Sequence, residues 1–198
     1  MIAKSYIKAS LVELDKLYTK ASSQKKAIYF SKMALIELCG WIEDTLDDIA
    51  LKHASRKLID DVNKKHYAKN IVRRNSGFEY DINVRPMFIS LIGLIELEKL
   101  EIKLEKTAKI TLLKNDLKNL KPTRNDAAHT HLRGITKTYN APSLTIGYFN
   151  NICTILEIID KELRDTKVLP PLVRASRSYQ SCAKFLTLCY KSKPTKNP

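Results

Sequence analysis

The chain has 198 residues, of which 44% are hydrophobic, so it is long enough to form one domain with a substantial buried core. Only five glycines and seven prolines are present, which disfavours a loop-rich all-β architecture. The formal net charge is +14 at pH 7, and so basic a surface favours a polyanionic partner, with RNA or DNA ahead of an acidic membrane surface.

Apolar residues at helical spacing begin close to the amino terminus and predict a first helix over residues 3–20. A stronger pattern over residues 24 to about 58 predicts the longest helix, which carries an acidic run at 43–48. Residues 60–80 turn polar and basic. The turn signal at 75–77, Asn-Ser-Gly, makes the later part of that stretch a predicted connecting loop.

Pro86 stands where the first turn of a helix tolerates proline, so the next helix is predicted over residues 87 to about 104. This segment is apolar on most sides, which predicts a central place in the core. Residues 110–120 predict another helix that leads into a polar motif. Two further helices are predicted over residues 143 to about 164 and over residues 173–190.

The predicted organisation is a single all-α domain over residues 1–190, a bundle of about five main helices, followed by a basic, disordered tail over residues 191–198. No run is long enough to span a membrane, and the amino terminus lacks a signal-peptide pattern, so a cytoplasmic protein is predicted. The cysteines form no C-x-x-C pair and lie in apolar helical patterns, which favours reduced core thiols: Cys39, Cys153, Cys182 and Cys189.

Residues 121–134 are predicted to form a separate short helix with both ends marked. Thr123 is its predicted N-cap, and Asp126 three residues later completes a capping-box pattern. Gly134 supplies the stop. So short a helix holds a guanidinium, an amide, two alanines and an imidazole, and this composition makes it the first candidate for function.

The polar side chains that attract attention in this helix are those of Arg124, Asn125 and His129. Asn125 and His129 share one helical face, whereas Arg124 lies about 140° away from His129 around the axis. Histidine acts as a general acid or base near neutral pH, and arginine binds phosphate and stabilises developing charge. The pair suits cleavage of an RNA phosphodiester by the ribose 2′-hydroxyl, with no metal or other cofactor. Either Arg124 reaches round from the first turn, or the two residues act across two copies.

Residues 124–129, Arg-Asn-Asp-Ala-Ala-His, resemble the signature of the HEPN superfamily: an arginine, a polar residue and, after a short spacer, a histidine. The predicted helix order also resembles a HEPN domain. The resemblance implies a metal-independent endoribonuclease that acts as a homodimer with a composite site, often as a toxin or anti-phage effector. It assigns phosphate binding to Arg124, orientation of the site to Asn125 and acid–base catalysis to His129.

The chain departs from one HEPN subgroup, in which a tyrosine two residues after the histidine accepts nucleotides from a silencing partner. His131 stands at that position, so this route is not expected, and His131 is predicted to support the site or to lie at the surface. Glu43 is a second supporting candidate, because some HEPN proteins place an acidic residue on an early helix, and Arg124 is its natural partner. The alternative for Glu43 is a solvated acidic face shared with Asp44, Asp47 and Asp48.

Several basic residues are candidate contacts for an RNA backbone, each with ordinary solvated surface as the alternative: Lys118, Lys121, Arg133, Arg73 and Arg74. Tyr139 is a candidate for stacking on a base, with core packing as the alternative. His53 and His66 lie in polar, basic surroundings and are predicted to be exposed.

These patterns lead to two main hypotheses. The first is a dimeric HEPN ribonuclease whose subunits meet through the face of Ala127 and Ala128, with an antitoxin or regulatory protein as a further partner. The second is a non-catalytic HEPN module that binds RNA, a nucleotide or a partner protein. A helical scaffold with incidental charge is a third alternative, which predicts no RNA affinity at moderate salt.

Overall fold

The structure, a computed structural model, describes residues 2–129 and 138–165. All regular secondary structure in these residues is helical, which confirms the all-α prediction. The α-helices are α1 (Ser5–Thr19), α2 (Gln24–Lys57), α3 (Asp61–His66), α4 (Arg85–Glu105), α5 (Lys109–His129) and α6 (Pro142–Asp165). Two π-helical segments, Tyr67–Val72 and Tyr80–Val84, lie between α3 and α4. Over the described ranges, no helix combines the length and the hydrophobicity needed to cross a membrane.

Helix α2 forms the centre of the bundle, and α1, α5 and α6 all pack against it. It begins at the predicted residue, where the Ser23 hydroxyl caps the first turn by accepting a hydrogen bond from the backbone N–H of Lys26. Leucine and isoleucine side chains that recur at helical spacing are fully buried in α2, α1 and α6: Leu38, Ile42, Leu46, Leu11, Ile152 and Leu156. The helices α1, α2, α4 and α6 therefore form close to their predicted bounds, because the apolar spacing that predicts them also builds the core.

Helix α4 is less central than its apolar sequence predicts. Gly93 interrupts it with a φ of 79° and ψ of 160°, a conformation that glycine adopts without a steric penalty. Beyond this kink one face is buried through Leu97, Leu100 and Leu104. The opposite side is open, since Leu94, Ile95 and Ile102 are each more than half exposed. After Gly93 the predicted central place in the core therefore holds for one face of the helix and not for the other.

The polar stretch after α2 is more helical than predicted and is packed against the core. Asp60 caps α3 by accepting a hydrogen bond of 2.8 Å from the backbone N–H of Val62. The Tyr67 hydroxyl donates to the Met87 carbonyl oxygen over 3.1 Å, and Tyr80 donates to the Glu101 carboxylate over 3.0 Å. Only residues 73–79 form the predicted connection without a helix.

Helix α5 runs without a break through Pro122, so the motif does not open a separate short helix. Thr123 is not an N-cap, because its hydroxyl donates back to the Asn119 carbonyl oxygen over 3.3 Å, as in a helix interior. Proline normally breaks a helix because it lacks the N–H and clashes with the preceding turn. Buried side chains on both sides of Pro122 oppose that break: Leu113, Leu117, Leu120 and Ala127.

The burial of the cysteines and histidines can be compared with the predictions for them. Cys39 and Cys153 are buried free thiols, as predicted, whereas the prediction that His53 is exposed is wrong, because only 5% of its surface is accessible. His53 follows Ile49 by one turn and therefore lies on the buried face of α2. Burial lowers the pKa of His53, and the neighbouring cations of Lys57 and Arg56 lower it further. His66 is exposed, as predicted.

Some predictions concern residues outside the described ranges. They are the helix over residues 173–190, the tail over residues 191–198, Cys182, Cys189, His131, Arg133 and the helix stop at Gly134.

Candidate functional site

The last two turns of α5 contact the middle of α2 through an ion pair. The Arg124 guanidinium nitrogen lies 3.3 Å from Oε1 of Glu43, and the two side chains are 36% and 30% exposed. Another guanidinium N–H of Arg124 donates to Oδ1 of Asn125 over 3.3 Å. The predicted pairing of Glu43 with Arg124 is therefore present, and two polar neighbours orient the guanidinium.

These three residues line a polar cavity of about 270 Å³ whose opposite wall is the turn between the two π-helical segments. The wall residues from outside the motif are Ser76, Gly77, Phe78, Ile82, Asn83 and Lys121. The structure thus places the connection over residues 73–79 beside the predicted motif. The sequence pattern does not predict where this connection lies.

The turn that forms this wall is held by backbone and amide contacts. Asn83 accepts a hydrogen bond from the backbone N–H of Glu79 and donates one to the Ser76 carbonyl oxygen, both over 3.1 Å. Gly77 has a φ of +116°, and a Cβ at that position would meet the Asn83 side chain at 3.0 Å. A residue larger than glycine would therefore both strain the backbone and push Asn83 away. The Lys121 ammonium group pairs with Glu79 and ties the turn to α5.

His129 lies at the end of α5 and is exposed, and it does not line the cavity. Because the helix is continuous from Arg124 to His129, their side chains project about 140° apart around its axis. Asn125 is also exposed and lies one turn before His129 on the same face. In the described part of the chain no hydrogen bond joins His129 to Arg124 or Asn125. Within one chain the guanidinium and the imidazole therefore do not converge on a common point.

The two alanines of the motif have different environments. Ala127 is completely buried in the core, whereas Ala128 is exposed. The prediction that both alanines form one contact face is therefore wrong, because consecutive helical residues point about 100° apart. Only Ala128 is available to another molecule.

Cys39 lies behind the ion pair. Burial raises the pKa of its thiol, the charge of Arg124 opposes this shift and the charge of Glu43 adds to it, and the resulting pKa is about 12. A thiol with so high a pKa stays protonated at neutral pH and is a poor nucleophile or metal ligand. Cys39 therefore contributes packing to the site.

The predicted RNA contacts are distributed over several surfaces. Lys118 and Arg74 are exposed and line none of the described cavities, and Lys121 is part of the cavity wall beside Arg124. Arg73 lines a separate cavity over α2. Tyr139 packs against the core with its hydroxyl buried, so the core-packing alternative describes it.

The sequence does not assign to the site the residues of the opposite cavity wall, which are Ser76, Gly77, Phe78, Ile82 and Asn83. The turn signal Asn75-Ser76-Gly77 marks a change of direction, yet no local pattern states which helix that turn approaches. Over the described residues, no group of three or more His, Cys, Asp or Glu side chains is arranged to hold a metal ion.

Comparisons with known proteins provide no relative from which a role can be transferred. No family model matches the chain, and neither the curated proteins nor the solved structures contain a match. The chemistry of the cavity and its charged walls is therefore the basis for a functional proposal.

Proposed function

We propose that the chain is a metal-independent endoribonuclease of the HEPN type that acts as a homodimer, in the role of a toxin or defence effector in the cytoplasm. The observation that carries this proposal is the Arg124 guanidinium, oriented by Glu43 and Asn125 at a polar cavity, with His129 one turn beyond Asn125 on the same helix. Arginine and histidine supply the two functions that RNA cleavage needs, charge stabilisation and proton transfer.

In the proposed reaction, His129 removes the proton from a ribose 2′-hydroxyl. The resulting oxygen attacks the adjacent phosphorus, and the bond from phosphorus to the 5′-oxygen of the next nucleotide breaks. That leaving oxygen takes up a proton from water, and His129 returns the proton it removed to the solvent, so the products carry a 2′,3′-cyclic phosphate and a free 5′-hydroxyl. Arg124 binds the non-bridging phosphate oxygens and stabilises the charge that accumulates on them.

The separation of Arg124 from His129 within one chain supports a site shared by two copies. An exposed apolar stripe on α2 offers a contact surface, since Tyr29, Met33 and Ile36 are each 40% exposed or more. Their spacing puts them on the same face of α2 as Glu43, so the stripe is continuous with the candidate site. A second copy of the chain is the proposed occupant of this surface.

The proposed dimer contact includes Ala128, which is exposed beside His129. We expect Ala128→Trp to weaken dimerisation and RNA cleavage together, as measured by analytical ultracentrifugation and by cleavage at the same protein concentration. A strictly monomeric Ala128→Trp protein with full activity would contradict the shared site.

The test of the ribonuclease proposal is cleavage of total RNA and of a tRNA pool in the presence of EDTA. We expect wild type to produce ends with cyclic phosphate and His129→Ala to produce them at least about 10² times more slowly. His66→Ala is the matched control, since His66 is another exposed histidine, and it should cleave like wild type. Equal cleavage by His129→Ala would show a contaminant or another site and would refute the proposal.

A non-catalytic HEPN module that binds RNA, a nucleotide or a partner protein such as an antitoxin is the second candidate function. The observation that favours it is that Glu43 already offsets part of the positive charge of Arg124. This candidate predicts salt-sensitive RNA binding without cleavage, and affinity unchanged in His129→Ala.

A further inference from the structure

A second cavity lies over α2, one turn beyond the candidate site. Its volume is about 570 Å³, within the range of ligand-binding pockets. One wall belongs to α2 and the other to α3 and the first π-helical segment, and the lining residues are Asp47, Leu51, Lys65, Ala68, Lys69, Val72 and Arg73.

Three cations stand along one wall of this cavity at four-residue intervals: Lys65, Lys69 and Arg73. All three are exposed, and in the described part of the chain none of them forms an ion pair. Many other lysines differ in this respect because they pair with a carboxylate, as Lys4, Lys52, Lys64, Lys99, Lys103, Lys114 and Lys121 do. The wall therefore carries three positive charges that no side chain on that wall neutralises, on a surface that also encloses a cavity.

The floor of the cavity is apolar, formed by the half-buried Leu51 and the buried Val72. No aromatic side chain is among the residues that line it, so it offers no platform for stacking a base. Cations above an aliphatic floor match the sugar–phosphate backbone of a nucleic acid better than its bases.

Two observations connect this cavity to the candidate site. Glu43 lines the site and Asp47 lines the second cavity, and these residues are one turn apart on α2, about 6 Å along its axis. On the opposite wall Arg73 lines the second cavity, and Ser76, three residues later, lines the site. A single strand that leaves Arg124 along α2 would therefore pass directly over the three cations.

We infer that the cavity lined by Lys65, Lys69 and Arg73 is a phosphate-binding subsite that holds the RNA backbone next to the cleavage site. The inference rests on the proposed ribonuclease function. It adds the path of the bound RNA strand, which extends from Arg124 toward α3. Asp47 is the one carboxylate among the lining residues, and it limits how closely a phosphate approaches the α2 wall. The phosphates therefore lie against the cationic wall.

The test measures binding of a short, non-cleavable 2′-O-methyl RNA by fluorescence anisotropy over a series of salt concentrations. Wild type is compared with the triple variant Lys65→Gln/Lys69→Gln/Arg73→Gln. Each lost phosphate contact on a single strand lowers the slope of log K against log salt by about 0.7, so we expect a fall of about 2. An unchanged slope would overturn the subsite.

Two control variants separate a local effect from charge loss or misfolding. Lys8→Gln/Lys16→Gln/Lys20→Gln, called the α1 triple, removes the same charge from exposed positions on α1 and directly after it, and we expect it to change the slope by less than half as much. The charge-conserving variant Lys65→Arg/Lys69→Arg/Arg73→Lys should keep the wild-type slope. Equal losses in the α1 triple and the cavity triple would mean that only overall charge matters, which would overturn the inference.

Cleavage then separates failure of the subsite from failure of the proposed function. A dinucleotide fills only the site beside Arg124, so the cavity triple should cleave it at the wild-type rate while cleaving a longer RNA more slowly. If the cavity triple cleaved both substrates at the wild-type rate, the subsite would be overturned and the proposed ribonuclease function would stand. A wild type that neither binds nor cleaves RNA would refute the proposed function and the subsite together.

Discussion

The parts of α5 before and after Pro122, called here its first and second halves, are both helical but differ in burial. The first half packs in the core, and the second half carries the candidate site. In the first half, Leu113 and Leu117 are completely buried, and Asp116 is buried where it accepts a hydrogen bond of 3.3 Å from Asn151. In the second half, only Ala127 is buried, and the exposed or half-exposed side chains include Arg124 and His129. Packing therefore restricts the residues of the first half, whereas most side chains of the second half are accessible and can be polar.

Pro122 stands at the boundary between these halves. Its missing N–H removes one hydrogen bond from the ladder of α5. The helix continues because Leu120 before it and Ala127 after it are both held in the core. The candidate site is thus built on a helix whose position is set by the half that contains neither Arg124 nor His129.

The largest expected effect tests whether the second half works only across two copies. Arg124→Ala and His129→Ala should each lower cleavage by about 10² to 10⁴, the usual contribution of such groups. Mixing equal amounts of the two inactive variants should restore about a quarter of wild-type activity. Half of the dimers are then mixed, and each mixed dimer keeps one of the two Arg124–His129 pairs that wild type forms across the interface.

Single-turnover cleavage of a tRNA pool by the separate and mixed variants measures this complementation. No recovery, despite proven exchange of subunits, would place Arg124 and His129 of one chain in the same site.

The next effect concerns the buried half. We expect Leu117→Ala to lower the free energy of unfolding by about 2 to 5 kcal/mol, because it removes a fully buried side chain and leaves a cavity. Urea unfolding followed by circular dichroism measures the change. Leu112→Ala is the matched control on the exposed side of the same half, where a loss within about 0.5 kcal/mol is expected. Equal losses would contradict the assigned packing.

A smaller effect concerns Asp47, which lies between the site and the cationic wall. Burial raises its pKa to about 6, helped by the charges of Asp44, Glu43 and Asp48. The folded state therefore holds this proton more tightly than the unfolded state, whose carboxyl has a pKa of about 3.9. The stabilisation is complete below about pH 4 and is lost as the pH rises through about 6.

Because Asp47 is partly exposed, the loss should be about 1 kcal/mol. Asp47→Asn should abolish this pH dependence and be the more stable protein at pH 7. Urea unfolding at a series of pH values measures both changes, with Asp61→Asn on the exposed surface of α3 as the control. A wild-type stability that rises from pH 4 to pH 6, with no change of slope in Asp47→Asn, would contradict the environment assigned to this carboxyl.

The smallest effect on stability concerns Glu43. A partly exposed ion pair contributes about 0.5 kcal/mol, so Glu43→Gln should change unfolding little. It should tighten RNA binding slightly, since one negative charge leaves the cavity, and slow cleavage, since Arg124 loses an orienting partner. Glu37→Gln, on the same helix outside the cavity, is the control for both assays. Faster cleavage by Glu43→Gln would show that Glu43 competes with the phosphate for Arg124.

The local sequence predicts most helices of the described chain because their apolar spacing and their burial have the same cause. It also pairs Glu43 with Arg124, which the structure places 3.3 Å apart. It is wrong at Thr123, where a capping pattern is overridden by the burial of Leu120 and Ala127 on either side. The prediction that His53 is exposed is also wrong. Its sequence neighbours are polar, but His53 itself lies on the buried face of α2.

By itself the sequence determined the helical class, the excess positive charge and the motif that carries Arg124, Asn125 and His129. These properties depend on composition and on spacings of a few residues, which a chain records locally. Only the tertiary structure decided that the turn at Ser76–Phe78 closes a cavity over the motif and that a second, cationic cavity lies beside it. Those contacts join residues far apart along the chain, and they arise from how helices pack rather than from any local pattern.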